Sequence, residues 1–68
     1  MSDIEITVNG EKQSVNADNI AQLVNNLNLS PETVLVERNG VALLRSEWTQ
    51  VPIAEGDRIE ILKVAAGG

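Results

Sequence analysis

Ile4, Ile6 and Val8 alternate with Glu5 and Thr7, the period-two pattern of a strand buried on one face. Asn9-Gly10 follows as a two-residue hairpin turn, and Glu11–Val15 returns as a second strand. The period then changes. Ile20, Leu23, Val24 and Leu27 stand at i, i+3, i+4 and i+7, the apolar stripe of a helix of about three turns. Asp18 is placed to cap its N-terminus, Asn28 to take the left-handed position after its last turn, and Leu29 to close onto Val24. So short a helix does not persist alone in water, and its stripe must lie across a sheet.

Pro31 bars continuation of the helix, and Thr33–Glu37 is a β-branched and aliphatic run that predicts the third strand. Asn39-Gly40 turns the chain before a short fourth strand, Val41–Leu44. Ser46 is a candidate cap for a single helical turn through Glu47, Trp48 and Thr49, and Pro52 argues against a central strand there. Glu55-Gly56-Asp57 predicts a turn. Arg58–Val64 predicts the last strand, with Ile59 and Ile61 on one face and Leu62 and Val64 on the other. Two strands, a helix and two or three more strands make an α+β domain with one helix across a mixed, four- to five-stranded sheet. That order fits a β-grasp fold.

At 68 residues the chain has room for one domain, assigned to residues 1–64 with 65–68 as a tail, and a domain this small hides only about 60% of its unfolded surface. Its core must be aliphatic, because Trp48 is the one aromatic residue. With neither Cys nor His, disulfides, thiolate nucleophiles, imidazole bases and Cys-rich zinc sites are excluded by inventory. Ten acidic against five basic residues give a formal charge of -5, the wrong sign for nucleic acid or anionic lipid. A basic protein surface is the better complement. No aliphatic run approaches the ~20 residues that span a bilayer, and the opening MSDIEI lacks the basic and apolar segments of a secretory signal. A cytoplasmic protein, monomeric when free, is expected.

Catalytic triads, paired metal ligands and phosphate loops need residue types or spacings that this chain lacks. Glu55 and Asp57 form a close carboxylate pair in a turn, and both are expected to be solvated there, where an ordinary pKa makes a poor general acid at neutral pH. The chain is therefore not expected to be an enzyme. The remaining candidate is the closing VAAGG, Val64 to Gly68. Ala65 to Gly68 extend at most about 14 Å and suit a narrow channel, where glycine without a Cβ lets enzyme walls approach the backbone. A reaction at a carboxylate on Gly68 needs both properties.

The NGE of Asn9 to Glu11, the helix IAQLVNNLNL, RSEW at Arg45 to Trp48, EGDRIEIL at Glu55 to Leu62 and the closing GG follow in fixed order. Together they resemble the sulfur carriers of thiamine biosynthesis, the ThiS family, a branch of the ubiquitin-like β-grasp proteins. Leu44 departs from that pattern, since relatives often place proline before the arginine; this bears on the local turn alone. The resemblance implies that a ThiF-like, E1-type adenylyltransferase uses ATP to adenylate Gly68 and that a sulfur-donor system replaces the adenylate to leave a thiocarboxylate. Thiazole synthase then takes the sulfur. Ala65, Ala66 and Gly67 would be the part of the tail that partners recognise, and the chain itself would bind no cofactor. The same fold and ending belong to the small subunit of molybdopterin synthase, which usually runs longer, and to ubiquitin-like modifiers that conjugate to lysines; both alternatives stay open.

Two further features carry competing readings. Trp48 is an anchor for a partner or a cover for the edge of the core, the second being the commoner use of a lone Trp in a small domain. Leu62 and Val64 turn the outer face of the last strand apolar, as a docking patch or, alternatively, through a bulge or a strand covered on both faces.

Overall fold

The computed structural model describes residues 3–64. Five strands form one sheet: β1 (Ile4–Val8), β2 (Glu11–Val15), β3 (Val34–Arg38), β4 (Val41–Leu43) and β5 (Arg58–Lys63), in the order β2-β1-β5-β3-β4. β1 and β5 run parallel, and the other neighbours are antiparallel. The expected mixed sheet is therefore present, with β5 at its centre. Helix α1 (Ile20–Asn26) buries Ile20, Leu23 and Val24 against Ile6, Val8, Val34, Val36 and Ile59 from the sheet. Each such aliphatic side chain contributes about 1.5–3 kcal/mol on leaving water, and this face holds the whole described core. Trp48, 3% exposed, joins it. Its indole N–H meets no acceptor among the described residues, so the ring packs as part of the core.

Two Asn-Gly pairs make the hairpins. Asn9 and Asn39 have φ of 51°, and Gly10 and Gly40 have φ of 86°, the doubly left-handed turn whose twist matches the flanking strands. The asparagine carboxamides then reach sideways onto β5. Asn9 accepts from the Ile61 N–H at 2.7 Å and donates to the Ile61 carbonyl at 3.1 Å. Asn39 accepts from the Arg58 N–H at 2.8 Å.

Helix α1 has seven residues, about two turns rather than three, and its cap is Asn19, not Asp18. The Asn19 side chain accepts from the Gln22 N–H at 2.9 Å, and the Gln22 side chain accepts from the Asp18 N–H at 2.8 Å. The start is delayed by long-range pairing. Ile20 N–H donates to Val51, Ile53 N–H donates to Asp18, and Asn19 bridges Pro52, so residues 18–19 are held extended. At the other end Asn28 has φ of 60°, while Leu29 N–H reaches Val24 and Asn28 N–H reaches Asn25. That is the expected Schellman close.

Boundaries also move at β3, β4, the turn after it and β5. Pro31–Thr33 forms a 3-10 turn, with Thr33 bonded twice to the Ser30 carbonyl, so β3 begins at Val34. Leu44 lies outside β4 because its N–H is taken by the Glu47 carboxylate at 2.8 Å. The following turn is Arg45–Glu47, capped by Glu47 reaching back and not by Ser46. β5 ends at Lys63, although Val64 still donates its N–H to Thr33 at 2.8 Å.

Asp57 overturns one expectation. Glu55 is exposed and accepts from the Glu5 N–H, but Asp57 is only 6% exposed. The left-handed Gly56, φ 86°, folds the chain so that Asp57 enters the sheet between the ends of β1 and β3. Its carboxylate accepts from Arg38 Nε at 2.8 Å, Ala54 N at 2.9 Å and Asn39 Nδ2 at 3.0 Å. Burial alone would raise its pKa, but the Ala54 N–H, the Asn39 amide and the Arg38 guanidinium more than offset that and hold it below the usual carboxylate range. The native state thus binds this proton less readily than the unfolded chain. Its contribution is complete above about pH 4 and is lost as pH falls through the native pKa. Acid unfolding of wild type and Asp57→Asn followed by circular dichroism should therefore show a stability difference that is constant above pH 5 and shrinks below pH 4.

Candidate functional site

The residues proposed to carry or present the reaction, Ala65, Ala66, Gly67 and Gly68, lie outside the described residues. Their approach is described. Val64 is fixed by its bond to Thr33, so the last described residue is anchored beside the start of β3.

Alternation along β5 places Ile59 and Ile61 toward the helix and Leu62 on the opposite face, 64% exposed; Val64 is 38% exposed. The strand is thus covered on one face, and the reading of Leu62 as buried on both sides is removed. The register adds residues that the pattern of β5 alone does not supply. Leu35, 57% exposed, stands directly opposite Leu62, and Glu37 stands between Glu60 on β5 and Ala42 on β4. With Arg58 these side chains line a shallow depression of about 500 Å³ on the face away from the helix.

The electrostatics of this face are unbalanced. Like charges directly opposite on paired strands destabilise a sheet, yet Glu37 and Glu60 face each other there. Among the described residues the ion pair found is Arg38 with Asp57, on the other side of β3. With Glu37 and Glu60 against the single Arg58, the face is net negative around its apolar pair, which favours an apolar protein surface carrying a basic group. Trp48 takes no part, being buried in the core. Among the described residues no three His, Cys, Asp or Glu side chains converge to hold a metal ion, and no helix is long and apolar enough to cross a membrane.

The ThiS family profile matches residues 5–68. The chain belongs to the ThiS family. Its fold is similar to the crystal structure of the thiamine biosynthesis protein ThiS from Geobacter metallireducens, with a TM-score of 0.81 and 33% identity over 96% of this chain and 100% of that one. A solution structure of a thiamine biosynthesis protein from the same organism gives a TM-score of 0.78 and 32% identity over 96% and 88% of the two chains. A designed protein templated on human erythrocytic ubiquitin matches more loosely, at a TM-score of 0.57 and 25% identity over 100% and 98%, in keeping with the ubiquitin-like β-grasp. The chain is also 30% identical over 66 residues to a thiazole synthase of Paramagnetospirillum magneticum, covering 96% of this chain. It spans about a fifth of that relative's length, 20%. The closing Gly67 and Gly68 fall within the family match but outside the described residues.

Proposed function

We propose that this chain is a sulfur carrier for formation of the thiazole of thiamine. The observation that carries the reading is a family match over residues 5–68, a range that includes Gly67 and Gly68. The thiazole synthase relative supports the pathway, since that protein holds a segment alignable with this chain within one polypeptide. The Gly68 carboxylate is unreactive as it stands. A ThiF-like partner joins it to the AMP part of ATP with release of pyrophosphate, and sulfide-level sulfur then displaces AMP to give a thiocarboxylate. The carrier supplies a nucleophile that a second enzyme, thiazole synthase, can draw into its site, and does no catalysis itself. We place it in the cytoplasm, where ATP is at hand.

The direct test is the intact mass after incubation with ATP, the cognate adenylyltransferase and a sulfur source. Replacement of one oxygen by sulfur is expected, and an unchanged mass beside a demonstrably active enzyme refutes the reading. The outer face supplies the docking surface in this scheme. Leu62→Asp should weaken binding to the adenylyltransferase by about 1–3 kcal/mol, because the new carboxylate must lose water in the complex, and should cost the free fold about 1 kcal/mol or less through the lost Leu35 pair. Calorimetric titration beside thermal unfolding separates the two: unchanged affinity in a folded variant removes the face from the interface.

A further inference from the structure

We propose that Asn39 is a modification site gated by the fold: its carboxamide is lost by ring closure with Gly40 once the hairpin opens, and the carboxylate that replaces it unseats β5.

The chemistry is that of the Asn-Gly pair itself. The Gly40 main-chain nitrogen attacks Asn39 Cγ, so that a Cγ–N bond forms, the Cγ–Nδ2 bond breaks and ammonia leaves a five-membered succinimide. Water then opens the ring to aspartate, or to isoaspartate, in which the main chain runs through the side chain and is longer by a methylene. The sequence needs no co-reactant but water. Glycine is the least hindered residue to follow the asparagine, since it has no Cβ to shield its nitrogen, and Asn39 and Gly40 are both exposed.

The fold opposes the first step. The ring closes only when Asn39 Cβ and the Gly40 nitrogen are eclipsed about the Cα–C bond between them. Asn39 instead has φ of 51°, in the left-handed region where ψ lies near about +47° and the two stand apart. Its carboxamide is also tied at both ends. Oδ1 accepts from the Arg58 N–H at 2.8 Å, and Nδ2 donates to Asp57 Oδ1 at 3.0 Å. The Asn39 N–H is held by the Arg58 carbonyl at 2.7 Å. The hairpin must therefore open before the amide can react.

The aspartate product cannot resume these contacts. An oxygen takes the place of Nδ2 and faces the Asp57 oxygen to which the amide donated, so two carboxylates meet where an acid and an amide did. Like charges at that distance cannot both ionise without cost, and Asp57 is only 6% exposed. Asn9 is the internal comparison. It starts the other Asn-Gly hairpin, but its carboxamide meets the peptide groups of Ile61, where an aspartate gives up a donor without facing a carboxylate. The same reaction thus has unequal consequences at the two turns. At Asn39 it raises the unfolded fraction, which opens the Asn9 turn to reaction as well.

The test is to hold the full chain in mildly alkaline buffer with and without urea and to follow conversion at each asparagine by peptide mass mapping. Asn39 should convert about 10- to 100-fold more slowly in the folded chain, the product of two hydrogen bonds each worth about 3- to 10-fold. Equal rates overturn the gate. Asn39→Asp should lower the melting temperature by more than about 8 °C, and Asn9→Asp by less than half of that shift; equal shifts overturn the role given to the Asp57 contact. Combining Asn39→Asp with Asp57→Asn exchanges acid and amide in place, so that a donor again faces an acceptor. The double variant should melt above Asn39→Asp, and it still decides the matter if the single variant fails to fold. A double variant no more stable than the single one means that carboxylate repulsion does not unseat β5, and the proposal falls.

Discussion

Deleting Gly68 is expected to abolish sulfur loading while leaving the folded domain intact. The shortened chain still presents a carboxylate, now on Gly67, but it falls one residue, about 3.5 Å, short of its place. A displacement of even 1 Å can cost about a hundredfold in a reaction that depends on alignment, so loading should drop by at least that factor. Gly68→Ala is the more discriminating companion. It restores the length and the carboxylate but adds a Cβ where a close-fitting channel has no space, and it should load more slowly than wild type with an unchanged melting curve. Intact mass over a time course measures loading, and circular dichroism measures the fold. Neither change touches a core residue or hydrogen bond of residues 3–64. Full loading of the deleted chain would move the reaction away from Gly68 and remove the basis of the carrier reading.

Local chemistry was legible in the sequence wherever it acts between near neighbours. The alternation of Ile4, Ile6 and Val8, the two Asn-Gly turns and the left-handed Asn28 each follow from a few adjacent residues, and each is found. The misplaced helix start has another origin. Asp18 and Asn19 are equally good caps on paper, and the choice between them is made by pairing with residues 51–53, which no local pattern contains. Ser46 lost to Glu47 because a longer side chain on the third position can reach back to the free N–H of Leu44, a competition that turn propensities do not rank.

The outer face shows the same limit from the side of function. Leu62 was visible as an apolar residue on the wrong face of its strand. Leu35, Glu37 and Ala42 were equally visible as members of their strands, but only the register of β3 against β5 and β4 sets them beside Leu62 and Glu60. The reaction at Gly68 was reached through family resemblance. Two small residues and two glycines describe a shape that fits a channel, and no physical property of theirs names sulfur.

The buried Asp57 carboxylate accepts from three residues at once, and Asp57→Ala is expected to cost about 3 kcal/mol. The substitution strands three donors at once: the Arg38 guanidinium, the Asn39 amide and the Ala54 N–H. Ala54 ties down the turn before β5, and Arg38 and Asn39 close β3, so the loss falls on the junction that seats the central strand. In a domain of this size the total stability is about 3–5 kcal/mol, and the melting temperature should fall by about 12–24 °C. Asp57→Asn keeps the shape and one acceptor but turns an amide donor toward other donors, and should lie between wild type and alanine. Thermal and urea unfolding measure both. The origin of the loss can then be separated. If it comes from leaving Arg38 charged without a partner, Arg38→Met in the Asp57→Ala background should recover part of it; if it comes from the turn, the double variant should be no better than the single one. A loss below about 1 kcal/mol in Asp57→Ala would mean that water satisfies the three donors as well as the carboxylate does, and that this network adds little to the fold.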